Sequence, residues 1–388
     1  MPSTEKPTLT DLIQQLTHFF NSIHSNGEVE NPDKQKLETY INDMLLQSSD
    51  NITMDDISFY ASHFVDSEPL YMSILKNIIK PSFGFKEDII CKWFYQWYCL
   101  NVSQTKKFVL SFLPGILWMY LDKSSPSNLL TGIEALFIGI YNQEFNKREG
   151  KEKIFNPPVL PMQSFIDKPL ELQQHQQSGL TENTLKLLNS QSKSITLEKS
   201  LPRIEIVTTQ TKSVLIKTII NNYTSIISTL PIHSRVIYCE MASRLSSNGL
   251  NFQIKTSNNN GHSNNRNLNI DNLNESKYSE FDGDQSIPTN SINSTTSTTT
   301  TTTSNTNKFS NLHGLTSFLS HKSDLEKRIY LTDKILQELV TGLTFCAFQD
   351  STRDVALLSV QMLHQRANYD LIPELLLSTN SLLNVLNK

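Results

Sequence analysis

Paired cysteines, clustered glycines, a surplus of either charge and long apolar runs are all missing from this sequence. The four cysteines, Cys91, Cys99, Cys239 and Cys346, stand far apart and form no C-x-x-C pair. That spacing fits neither a disulfide framework nor a zinc-ligand set, and it reads as reduced, largely buried cytosolic thiols. The closest two of the twelve glycines are Gly132 and Gly139, so no G-x-G-x-x-G or P-loop is formed to cradle a phosphate. G-x-S-x-G, H-E-x-x-H and kinase catalytic-loop patterns do not occur either. Lys plus Arg number 34 against 38 Asp plus Glu, a net charge of −4, which gives no field favouring nucleic acid or an anionic membrane. The most apolar run, residues 108–121, has 14 residues with Pro114 inside, whereas a membrane-crossing helix needs roughly 20. It reads as one buried core helix. Residues 1–10 are polar with two prolines, without the basic start and apolar stretch of a secretory signal, so the chain is expected in the cytosol with a flexible N-terminus over 1–9.

What is present is helical periodicity. Leu12, Ile13, Leu16, Phe19, Phe20 and Ile23 share one helix face, and such faces must pack on something. Asn31-Pro32 predicts the start of a second helix. Thr53 with Asp56 predicts a third, and residues 67–79, stopped by Pro81, a fourth. Stripes continue through Trp93, Phe94 and Trp97, the 108–121 run, and Ile133, Leu136, Phe137 and Ile140. The three tryptophans are read as core, with room for one at an interface. Residues 10–145 are therefore expected to form an N-terminal helical domain.

Between 146 and 211 the composition shifts to mixed charge, with Pro157, Pro158, Pro161, Pro169 and Pro202 and a glutamine cluster. This predicts a surface connector, within which Ile204 and Ile206 alternate with Arg203 and Glu205 as one short candidate strand. Helical spacing returns over 212–250, divided at Pro231, and over 309–388. Residues 251–308 hold 14 Asn, 11 Thr and 9 Ser. Too little apolar surface is available there to offset the entropy of ordering, so a disordered insertion is expected. The fold class that follows is all-α, a multi-helix bundle or solenoid-like array with a proline-containing connector and a disordered insertion.

Candidates for chemistry are few. His24 with Glu28, His63 with Asp66, Glu171 with His175 and His321 with Asp324 pair at helical spacing, but each lacks further metal ligands. Asp282-Gly283-Asp284 has no following glutamate to close a calcium loop. Lys106-Lys107 and the group Lys147, Arg148, Lys151 and Lys153, interleaved with Glu149 and Glu152, read as solvated turns. No catalytic, cofactor-binding or metal-ligating residue is assigned, and the chain is expected not to be an enzyme.

Residues 112–121 read F-L-P-x-x-x-W-x-Y-L through Pro114, Trp118 and Tyr120, and 133–144 read I-E-A-L-x-x-G-x-Y-N-x-E through Glu134, Gly139, Tyr141 and Glu144. In this order the two patterns resemble the hyccin family. Leu180-Thr181-Glu182 looks like its L-T-E. Leu230-Pro231 through Cys239 to Ser243-Arg244 is similar to its proline-divided helix pair, and Gln365-Arg366-Ala367 through Pro373-Glu374-Leu375-Leu376 to its last two helices. The insertion at 251–308 departs from the pattern. The resemblance implies a non-catalytic regulatory subunit of a plasma-membrane complex supporting phosphatidylinositol 4-phosphate synthesis. Its implied partners are a tetratricopeptide-repeat scaffold, the type III alpha phosphatidylinositol 4-kinase and, indirectly, a lipid-anchored membrane protein. No cofactor and no nucleic acid is implied, and the location would be the cytosol and, through partners, the periphery of the plasma membrane. Two other readings stand beside it: an enzyme with an unrecognised site, and a general helical adaptor in membrane traffic.

Overall fold

The computed structural model describes residues 9–25, 54–86, 88–123, 130–149, 151–155, 194–250 and 328–386. The helix expected at Asn31-Pro32, Thr53, most of the connector and the 251–308 insertion lie outside them. Among the described residues the class is all-α, with twelve α-helices and a single two-stranded ribbon.

The helix ends follow from local chemistry. α1 (Leu9–Ser25) buries Leu16 and Phe20. α2 (Met54–Asp66) opens on Asp55 and Asp56, whose charges suit the positive end of the helix dipole. α3 (Glu68–Ile78) carries proline in its first turn, where the missing N–H costs nothing. α4 (Ile89–Cys99) is capped by Asp88, whose carboxylate accepts from the Cys91 N–H at 3.0 Å and the Gly84 N–H at 3.2 Å, fastening the preceding turn to the helix.

The 108–121 run is two helices rather than one. α5 (Ser103–Ser111) ends at Phe112 and α6 (Leu113–Lys123) begins beyond it. Pro114 is the cause: inside a continuous helix its ring would strike the carbonyl four residues earlier, and only a first turn tolerates it. All of 108–121 is nevertheless buried, as expected. α7 (Thr131–Arg148) follows, then β1 (Lys153–Phe155) and β2 (Ile195–Glu198). α8 (Thr209–Ile226) opens on a reciprocal cap between Thr208 and Thr211. α9 (Ile232–Ser247) starts just after Pro231, as the sequence predicts, and α10 (Asp333–Ala347), α11 (Arg353–Asp370) and α12 (Pro373–Leu386) complete the chain.

Residues 1–139 and 207–388 form one compact unit, and 140–206 a second. In the first unit α9 is central, packing on α6, α10 and α11 and buried on nearly every side. α11 packs on α10 and α12, α2 on α5, and α1 on α3. Phe108 anchors the aromatic part of this core, its ring centroid 4.9 Å from Trp97, 5.3 Å from Trp93 and 5.2 Å from Phe112. Edge-to-face and tilted pairs of this kind stabilise by roughly 1 kcal/mol each beyond the area they bury. All three tryptophans are in the core.

In the second unit the Tyr141 hydroxyl donates to the Pro202 carbonyl at 2.5 Å. The strand expected at Ile204 and Ile206 does not form. The backbone bends at 205–206, so Ile204 is buried while Ile206 is 74 % exposed. Two residues of equal parity would share a face in a strand, and these do not. The strands lie instead at β1 and β2, antiparallel, with Phe155 opposite Ile195.

Candidate functional site

The two patterned segments meet at a polar cluster. Tyr120 on α6 donates its phenol proton to Glu134 Oε1 on α7 at 3.2 Å, and the Tyr120 ring stands edge-on to Phe137 at 5.3 Å. Lys212 on α8 places its ammonium 4.7 Å above the Tyr120 ring. Burial, and after it the Glu134 carboxylate, pushes the Tyr120 phenol well above its ordinary pKa, so it stays protonated and keeps donating. Burial lowers Lys212, and the Glu134 charge opposes that shift. The result is a cation, a ring and a carboxylate clamping three helices. It fixes shape, because every member is engaged by another.

Pro114 starts α6, and Gly115 behind it lets Leu75 of α3 approach: a Cβ there would lie 2.7 Å from Leu75 Cδ1. Gly139 accommodates the Tyr95 ring in the same way, at 2.6 Å. The patterned residues are thus used for packing.

A second buried polar line runs through α3, α5, α8 and α9. Ser234 and Tyr71 both donate to the Ser111 carbonyl, at 2.7 Å and 3.2 Å, and the Tyr223 hydroxyl lies 3.0 Å from that of Ser234. Ser111 is the last residue of α5, so its carbonyl has no partner within that helix, and the break in the apolar run provides the acceptor that ties three other helices to it. The His233 ring lies tilted against that of Tyr71, 4.2 Å between centroids. Burial drives its pKa down to about 4, against the pull of a hydrogen bond to the backbone of Val65 and with a smaller push from Arg235, so it is neutral at physiological pH.

The histidine singled out at 63 is a surface residue, its Nδ1 2.8 Å from the Phe59 carbonyl and its ring against that of Phe59. It gathers no further ligands, and the described residues contain no cluster of three His, Cys, Asp or Glu placed to hold a metal. His24 lies at the end of α1 with Glu28 beyond the described residues, which also exclude Glu171, His175, Asp282, Asp284, His321 and Asp324. Lys106 donates to Asn101 Oδ1 at 2.5 Å and lies over the Tyr98 ring. Lys151 pairs with Glu149, both exposed, as a solvated turn predicts. Arg148, expected in the same turn, instead ends α7 and pairs with Glu144 with its side chain only 11 % exposed, because the helix continues that far and lays the pair along its own surface.

Three features escaped the sequence. Lys212 and His233 gave no motif signal because their partners are 78 and 162 residues upstream, at Glu134 and Tyr71. Cys239 and Cys346, remote in sequence, come into thiol–thiol contact across α9 and α10. Burial, with the Cys346 contact added, raises Cys239 well above the ordinary thiol value, which leaves it unreactive. Cys91 is also buried, and Cys99 is exposed.

The model of the hyccin family matches residues 55–388.

Proposed function

Since the chain belongs to the hyccin family, we propose that it is a non-catalytic regulatory subunit of a plasma-membrane phosphatidylinositol 4-kinase complex. In this reading it binds a tetratricopeptide-repeat scaffold, which joins the type III alpha kinase to a lipid-anchored membrane protein. The observation that carries it is the extent of the match, which runs from α2 to the end of α12 and takes in both patterned segments. The use of those segments supports it further. Gly115, Tyr120, Glu134 and Gly139 set the mutual packing of α3, α4, α6, α7 and α8. A pattern spent on helix packing specifies a rigid helical surface, which is what a scaffold-binding subunit presents. No helix among the described residues is long and apolar enough to cross a membrane, and the proposed route to the bilayer is through partners.

The test is affinity purification of the tagged chain from detergent-solubilised cells, followed by mass spectrometry. Recovery of a phosphatidylinositol 4-kinase with a repeat scaffold is expected, together with loss of plasma-membrane recruitment when the scaffold is removed. Recovery of vesicle-traffic proteins without the kinase would replace this reading with the general adaptor.

A further inference from the structure

Cys239 and Cys346 are free thiols, both buried, and each is held in place by more than its own helix. α9 and α10 meet closely because Gly342 gives the Tyr238 side chain room: a Cβ there would lie 2.5 Å from the Tyr238 hydroxyl oxygen. That hydroxyl donates to the Leu339 carbonyl at 3.1 Å, which fixes the register of the two helices. Cys239 follows Tyr238 in α9, and Cys346 lies one turn beyond Gly342 on the same face of α10. The crossing that the glycine permits therefore brings the two thiols together. Hydroxyls pin both backbones, Ser359 donating to the Cys239 carbonyl and Thr352 to the Cys346 carbonyl, each at 2.7 Å.

The two sulfurs are not equivalent. The Cys239 S–H donates to Cys346, and this hydrogen bond holds the Cys346 thiol below its ordinary value; burial opposes the shift, while the Arg235 charge and the Thr352 side chain add to it. The Arg235 guanidinium, one turn before Cys239, lies 5.8 Å above the ring of Phe345, the neighbour of Cys346. An acidified thiol beside a protonated one has the arrangement of an attacking and a resolving cysteine. Cys346 also has a route to solvent. It is the penultimate residue of α10, and two residues further on Phe348 is 58 % exposed, so fraying of the last helical turn, the least costly kind of local opening, uncovers its sulfur. Cys239 lies in the middle of α9, away from either end.

We propose that Cys346 and Cys239 are a redox pair, which hydrogen peroxide converts into a disulfide bridging α9 and α10. The Cys346 thiolate attacks a peroxide oxygen and the O–O bond breaks, leaving Cys346 as sulfenic acid, while the departing hydroxide takes the proton that the thiol gave up and becomes water. The Cys239 sulfur then displaces the sulfenic hydroxyl, which leaves as a second water with the Cys239 proton. Two thiols are oxidised to one disulfide, and one peroxide is reduced. The bridge spans residues 240–345, and a crosslink around so long a loop stabilises the fold by constraining the unfolded chain.

The test uses the full chain carrying Cys99→Ser, which removes the exposed thiol. It is treated with hydrogen peroxide under native conditions and mapped by mass spectrometry without reduction. A linked peptide pair joining 239 to 346 is expected, together with a rise in the urea midpoint that dithiothreitol reverses. With Cys239→Ala added, Cys346 should be trapped as a sulfenic acid that dimedone labels, whereas with Cys346→Ala added, Cys239 should remain a thiol. Free thiols at both positions after peroxide, or linkage only once urea has unfolded the chain, would overturn the proposal. Dimedone labelling of Cys239 as fast as that of Cys346 would overturn it too, because neither sulfur would then be the preferred attacker.

Discussion

A Cβ atom placed on Gly249 would lie 2.9 Å from the Cα of Arg328, so the chain leaves the end of α9 and returns towards α10 at one point. The 78 residues between them, 250–327, close as a loop whose entropic cost grows only logarithmically with length. Replacing 251–308 by six Gly/Ser residues keeps 309–327 and shortens the loop to about 26 residues, which should stabilise the fold by about 1 kcal/mol. The denaturant midpoint should rise slightly with an unchanged slope. A fall in the midpoint would show that the removed residues pack on the helices.

Gly342 and Gly139 present the same local geometry and should respond in opposite directions. A Cβ on Gly342 would meet the Tyr238 ring and hydroxyl at 2.5–2.6 Å. Tyr238 is buried, stacked 4.9 Å from Tyr223 and donating to the Leu339 carbonyl at 3.1 Å, so it has nowhere to go. Alanine gains about 1 kcal/mol in helix propensity but overpacks by about 1–3 kcal/mol, here at the upper end because Tyr238 is held on both sides, and Gly342→Ala should lose up to about 2 kcal/mol net. At Gly139 the ring in the way is Tyr95, 43 % exposed and able to swing outward. Gly139→Ala should therefore be neutral or gain up to about 1 kcal/mol. Chemical denaturation of both variants settles the contrast, and equal losses would contradict it.

The core histidine makes stability depend on mild acid. The folded-state pKa of His233 is about 4, below its ordinary value of 6.5. A depressed folded pKa contributes stability that is present above the unfolded pKa and lost as pH falls towards the folded one, here between about 6.5 and 4. A shift of that size corresponds to a few kcal/mol, about 3 at most. His233→Gln keeps a donor for Val65 and removes the titration. Its unfolding free energy should lie below that of the unaltered chain at pH 7 and fall less steeply between pH 6.5 and 4. Parallel curves would show that His233 is not neutral in the fold.

How much of this was legible in the sequence depends on the range of the interaction. The break at Pro231, the stop before Pro81 and the buried character of 108–121 are local consequences of proline and of unbroken apolarity, and they are visible in the chain. Pro114 carried the same signal for the α5 to α6 break, but an apolar run of 14 residues outweighed it in the reading, although proline's clash with the carbonyl at 110 does not depend on hydrophobicity. The strand at 204–206 was misplaced because alternation of residue type was present without a partner strand to use it, whereas β2 has one in β1. Glu134 with Lys212, Tyr71 with His233, and Cys239 with Cys346 were illegible for another reason. Each pair is joined by tertiary packing of helices, and nothing in periodicity says which helix faces which. The patterned segments were legible as a family resemblance, while their physical meaning, close packing at Gly115 and Gly139 and a clamp at Tyr120, needed the fold.

Asp370 decides whether Arg366 can remain inside. Arg366 is 1 % exposed, and its Nε donates to Asp370, while Arg328 on the other side of the carboxylate is 41 % exposed. Burial pushes Asp370 upward, but hydrogen bonds and charge from Arg366 and Arg328 outweigh it and hold the carboxyl below the usual range. Asp370→Asn would leave a buried guanidinium without its counter-charge, a loss of about 3 kcal/mol. Arg328→Ala removes a solvent-screened pair and should cost less than about 1 kcal/mol. The carboxylate's contribution is present above its unfolded pKa and disappears as pH falls below about 4, so the difference between the Asp370→Asn variant and the unaltered chain should shrink in acid. Urea denaturation of the two variants at pH 7 and at pH 3.5 measures both effects. Equal costs for Asp370→Asn and Arg328→Ala would mean that Arg366 reaches water when its partner is lost.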